Sequence, residues 1–162
     1  MKMTVRDLLG RILMTLTAAE IGVIPFLVDV SPTHIFNAAW PAHARLHGMW
    51  LLISGGLLSL VALYLIWFQR NNRTAAVTMA GVLLGAILAG FFTAVATVSL
   101  YGGSIVVDAA SAQGLPDGGV SAGIPANVRI FGVALIALLI GLVLARGAAR
   151  ASTASATLKQ HG

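Results

Sequence analysis

Fifteen consecutive residues hold most of the side chains in this chain that could do chemistry. They run Thr33-His34-Ile35-Phe36-Asn37-Ala38-Ala39-Trp40-Pro41-Ala42-His43-Ala44-Arg45-Leu46-His47. Pro41 suits the first turn of a helix, so a helix is expected to begin near it. His43 and His47 then stand one turn apart on one face, a spacing that serves proton transfer, hydrogen bonding or metal ligation. No carboxylate completes a known metal motif and His-Glu-x-x-His is absent, so no metal and no cofactor is expected. The alternative is anchoring, in which Trp40, His43 and Arg45 hold a helix at the headgroup level of a membrane.

Glu20 is the sharpest single residue. It lies inside an apolar run, where a carboxylate costs roughly 2.5–3.5 kcal/mol on insertion scales. It should face other helices and either pair with a cation or stay protonated, which makes it a candidate proton donor or acceptor. A purely structural hydrogen bond to a neighbouring helix is the competing explanation. Asp29 follows at the end of the same run, about 13 Å away at 1.5 Å per residue. That is too far for a carboxylate dyad unless Pro25 bends or opens the helix between them. Glu20, Asp29, His43 and His47 are therefore the catalytic candidates. His34, Asn37, Trp40, Tyr101 and Arg129 are candidate ligand contacts, with Arg129, at the outer start of span four, the obvious cation to pair with Asp29, Asp108 or Glu20.

These residues have to be positioned by apolar helices. The 162 residues are 58% hydrophobic and only 9% charged, against about 25% charged in soluble domains. Long apolar runs are expected at 12–28, 46–68, 75–100 and 128–145, each near the ~20 residues that cross ~30 Å of hydrocarbon. A backbone in lipid must satisfy its own hydrogen bonds, so the runs are read as helices of an all-α, four-transmembrane-helix bundle. The domain is expected over 1–150, with 151–162 a disordered tail. The first run contains Glu20 and Pro25 and is followed by no clear cleavage site, so it is read as a retained span. The short turn 69–74 should join spans two and three as an antiparallel hairpin. Gly81, Gly85 and Ala89 on span three, and Gly55 and Ser59 on span two, offer close helix approach.

The net charge of +5 does not indicate nucleic acid, because the basic residues sit at the ends of the apolar runs. Lys2, Arg6, Arg11, Arg70, Arg73, Arg146, Arg150 and Lys159 fall on one side of the bundle, and Arg45 and Arg129 on the other. This asymmetry predicts both termini in the cytoplasm and the two long loops outside. Membrane lipids are the expected partners, with a lipophilic small molecule and a homo-oligomer as further possibilities. The absence of cysteine excludes disulfides, thiol nucleophiles and Cys-based metal sites.

The Thr33-His34-Ile35-Phe36-Asn37, Trp40-Pro41 and His43-Ala44-Arg45-x-His47 pattern resembles the signature of an uncharacterised family of small four-span membrane proteins. That resemblance implies a fold and no reaction. Ile24-Pro25-Phe26-Leu27-Val28-Asp29 is similar to the EXPERA group of sterol isomerases and sterol-binding proteins. This implies a lipophilic pocket lined by acidic residues, although spans two to four carry no Asp or Glu. Two functions lead the expectations, ahead of a transporter or proton-conducting protein, for which four spans are few without an oligomer. In one, the protein binds, isomerises or cyclises a lipophilic molecule by proton transfer at an outer polar site. In the other, it is a non-catalytic accessory or scaffold whose polar loop docks a partner. The first expects His34, His43 and His47 to share one site with Asp29 and Arg129, with His47 the most buried histidine and His34 the most exposed.

Overall fold

The computed structural model describes residues 3–105 and 124–160, the side chains of 152–160 excepted. Asp108, Asp117 and Lys2 lie outside the described residues, as does most of the second long loop.

The first span is two helices. α1 covers Val5–Gly22 and α2 covers Ile24–Asp29. Thr4 caps α1 by accepting from the Asp7 amide at 3.2 Å. The interruption falls at Val23, where Pro25 sits in the first turn of α2. Proline has no N–H to donate and its ring crowds the preceding turn, which accounts for the interruption of the helix at this point. α3 covers Ala42–Trp67 and starts directly after Pro41, four residues ahead of the run expected at 46. α4 covers Arg73–Ala96 and ends in a short 3-10 helix, Val98–Tyr101. The turn before α4 closes on Asn72, which takes a left-handed conformation (φ 48°) and accepts from the Ala75 amide through its side chain. α5 covers Ala126–Gln160. It runs fifteen residues past the end expected for the fourth span, and its backbone is helical across most of 151–162. No strand occurs among the described residues.

Four helices are long and apolar enough to cross a membrane, counting α1 with α2 as one. Their spans of 24–26 residues exceed the ~20 needed for ~30 Å of hydrocarbon, so each reaches into the headgroup layers. The helices form a ring in which α1 packs on α5 and α3, and α4 completes it between them. Met14, Ile66, Val77, Leu84 and Leu138 fill the shared core, all fully or almost fully buried.

Small residues set the tightest approaches. A Cβ on Gly81 would meet Leu142, and one on Gly22 would meet Ser59. Gly85 faces Leu138 at ordinary contact distance, whereas Ala89 is exposed. The closest backbone contact lies elsewhere, between α1 and α5. There a Cβ on Gly10 would come within 2.6 Å of the Ala145 nitrogen and 2.8 Å of the Gly141 oxygen. Beside it Thr17 is buried, its hydroxyl 3.1 Å from the Leu13 carbonyl and 3.2 Å from the Ala134 carbonyl of α5.

Candidate functional site

The segment between α2 and α3 folds into a compact cap built largely from its own polar groups. The Ile35 amide donates to the Asp29 carbonyl at 3.0 Å, and the Phe36 amide to the Ser31 carbonyl at 2.9 Å. Asn37 is only 8% exposed. Its side chain donates to the Thr33 carbonyl and accepts from the Ala39 amide at 2.9 Å, joining two turns. Arg45 reaches back from the first turn of α3 with Nε and Nη2 on the Trp40 carbonyl, at 3.2 and 3.1 Å. Ile35 is buried against Gly48, where a Cβ would lie 2.7 Å from the Ile35 Cδ1. Asn37, Arg45 and the backbone of Trp40 thus hold the loop's shape. Unpaired buried polar groups cost about 1–3 kcal/mol, which is why a sequence that buries an asparagine here also supplies its partners.

The histidines separate into two places. His34 lies with Asp29, Nε2 to Oδ1 at 3.9 Å, which is ion-pair range and longer than a hydrogen bond. Its Nδ1 is 2.9 Å from the Thr33 hydroxyl, which in turn is 2.9 Å from Ser31. The Trp40 ring meets the His34 ring edge-on, centroids 6.0 Å apart. His43 and His47 pair with each other on α3, Nε2 to Nε2 at 3.0 Å, and one ring donates while the other accepts. His47 also contacts the Trp50 ring, centroids 5.9 Å apart, so the expected shared face of His43 and His47 is found and continues to Trp50.

The burial order is the reverse of the one expected. His43 and His47 are exposed, whereas His34 is half-buried under the loop. The physical reason is the register of α3. Its bundle-facing positions are Leu52, Ser59, Ala62 and Ile66, and the helical period carries 43, 47 and 50 to the opposite side. No group of three metal-ligating side chains forms among the described residues.

Three other candidates also stand apart. Arg129 is exposed at the start of α5, and the described ion pairs do not include it. Tyr101 is exposed and donates its hydroxyl to the Ala94 carbonyl at 2.9 Å, closing the end of its own helix. Glu20 is half-buried on α1 with Oε2 inaccessible and without a hydrogen-bond partner among the described residues.

A family pattern matches residues 13–155, which takes in every one of these groups: the family of unknown function DUF6640. The chain belongs to this family. Comparison with curated proteins and with solved structures gives no match. The DUF6640 match covers three spans in full and the first from residue 13 onward, so most of the bundle and its whole cap belong to the family unit together.

The opposite end of the bundle carries Arg11 and Arg73, which sequence reasoning treated only as orientation signals, and Asp7, which it passed over. Asp7 is buried and paired to Arg11 one turn on. The Arg11 guanidinium lies over the Trp67 ring, 5.6 Å from its centroid, and the Trp67 indole donates to the Thr15 hydroxyl at 2.9 Å. Arg73 caps the end of α3, donating to the carbonyls of Leu65, Ile66 and Gln69. The i, i+4 spacing of Asp7 and Arg11 is the signal that could have marked this cluster.

Proposed function

We propose that the protein is a non-catalytic membrane accessory or scaffold protein that docks a partner membrane protein at its capped end. The observation that carries this reading is the division of labour around the cap. Asn37, Arg45 and Thr33 are committed to building a fixed loop, while His43, His47 and Trp50 project away from the bundle. A rigid surface with an outward aromatic and imidazole face suits recognition better than proton transfer inside a cavity. A photoreactive phenylalanine analogue at position 47 should give discrete protein adducts in native membranes. The same analogue at the exposed, apolar position Val61 should give none. Adducts to lipid alone at position 47 would overturn the docking role.

The orientation belongs to the same proposal. The eight-to-two asymmetry of Lys and Arg supports an orientation with both termini in the cytoplasm and the cap outside. Reporters fused at the C-terminus and inserted near Gly114 should read as cytoplasmic and external respectively. Reversal at either position sinks the assignment.

A second reading keeps one observation of its own. Glu20 Oε2 is buried without a partner among the described residues, as a proton-transfer group acting on a lipophilic molecule would be. The likeness of 24–29 to the EXPERA group supports the same chemistry. Asp29 with His34 would then be the nearby polar pair at the outer end of the span.

A further inference from the structure

The groove between the start of α1 and the last turns of α5 brings three arginines together around an apolar floor. Arg6, Arg146 and Arg150 line a cavity of about 490 Å³ with Leu142, Val143 and Gly147. Gly147 is what admits Arg6, since a Cβ there would come within 2.7 Å of the Arg6 Nη2. Arg146 and Arg150 are four residues apart and share a face of α5. Among the described residues no carboxylate forms an ion pair with any of the three: Asp7 pairs with Arg11, Glu20 stands several turns away on α1, and Asp29 lies at the other end of the bundle with His34. Arg146 Nε is buried and has no hydrogen-bond partner there. Three uncompensated guanidinium groups around one cavity ask for an anion, and the planar fork of arginine matches phosphate oxygens.

We propose that this groove binds the phosphate of an anionic phospholipid. Depth along α5 decides between a lipid and a soluble phosphate. Arg146 lies twenty residues beyond Ala126, the first residue of the span, which is about 30 Å at 1.5 Å per residue and matches the hydrocarbon thickness. The arginines therefore stand at the headgroup layer. Leu142 and Val143 lie one turn deeper, with Val143 64% exposed, where the first acyl carbons would run. A free phosphate uses the arginines and leaves this apolar floor uncovered, whereas a lipid uses both. The site is independent of the docking surface at the other end.

The test is native mass spectrometry of the detergent-solubilised protein with equal amounts of phosphatidylglycerol and phosphatidylcholine. Phosphatidylglycerol adducts should dominate and should survive millimolar inorganic phosphate. Arg150→Gln, at an exposed position outside the core, should weaken their retention about five-fold, the equivalent of ~1 kcal/mol per basic residue at the surface. Adding Arg6→Gln should weaken it by a similar factor again. Arg70→Gln, exposed at the same end but outside the groove, should leave it unchanged. Equal retention of the two lipids, or equal loss in Arg70→Gln and Arg150→Gln, would overturn the proposal. Displacement by inorganic phosphate would instead assign the groove to a soluble anion, which overturns the lipid.

Discussion

Gly10→Val is expected to lower the stability of the folded bundle by about 1–3 kcal/mol, the usual cost of overpacking a filled interior. The reason lies in what the new side chain would meet. A Cβ at this position falls 2.6 Å from the Ala145 backbone nitrogen and 2.8 Å from the Gly141 oxygen. Backbone atoms cannot swing aside as the end of a flexible side chain can, so α1 and α5 would have to separate. Membrane helices associate through close packing rather than a hydrophobic driving force, and separation forfeits those contacts directly. Gly90→Ala is the matched control. A Cβ on Gly90 would have nothing within 4 Å of it, so alanine there should gain up to about 1 kcal/mol of helix propensity. Denaturation of both variants in mixed detergent micelles would read the two signs. A Gly10→Val protein as stable as the parent would show that α1 and α5 do not meet in this register.

The expected effect of Glu20→Leu runs the other way, a gain of about 1–3 kcal/mol, the penalty that an unsatisfied buried polar group imposes. Glu20 Oε2 is inaccessible and has no partner among the described residues, and Arg129, the cation that could neutralise it, is exposed and unpaired with it. Leucine fills a similar volume and removes the polar atoms. Glu20→Gln keeps the size and the hydrogen-bonding capacity, and should fall between the two. A residue whose removal stabilises a protein is retained for some other reason, which is the pattern of a functional group held at a cost in stability. Loss of stability in Glu20→Leu, measured in the same micelle assay, would mean that Glu20 has a structural partner. The proton-transfer reading would then lose the observation that supports it.

Much of the architecture was legible in composition because lipid leaves the backbone few choices. Four long apolar runs had to be helices, and four helices of spanning length are found. The break near Pro25, the start of α3 at Pro41 and the shared face of His43, His47 and Trp50 follow from local rules of proline geometry and helical period. These properties depend on neighbours within one turn, so the sequence by itself determined them.

The relations between helices were decided only by the tertiary structure. Whether the His43–His47 face turns inward or outward depends on the rotation of α3 about its axis. That rotation is set by where Gly55, Gly56 and Ser59 meet α1 and α2, and in an almost uniformly apolar helix no amphipathic stripe announces it. The same limit hid the contact of Gly10 with Gly141 and Ala145, because glycine is common in membrane helices whether or not it is an interface. It also hid the arginine groove. Arg6 and Arg146 are 140 residues apart in the chain, and only the antiparallel packing of α1 on α5, with Gly147 leaving room between them, makes them one site.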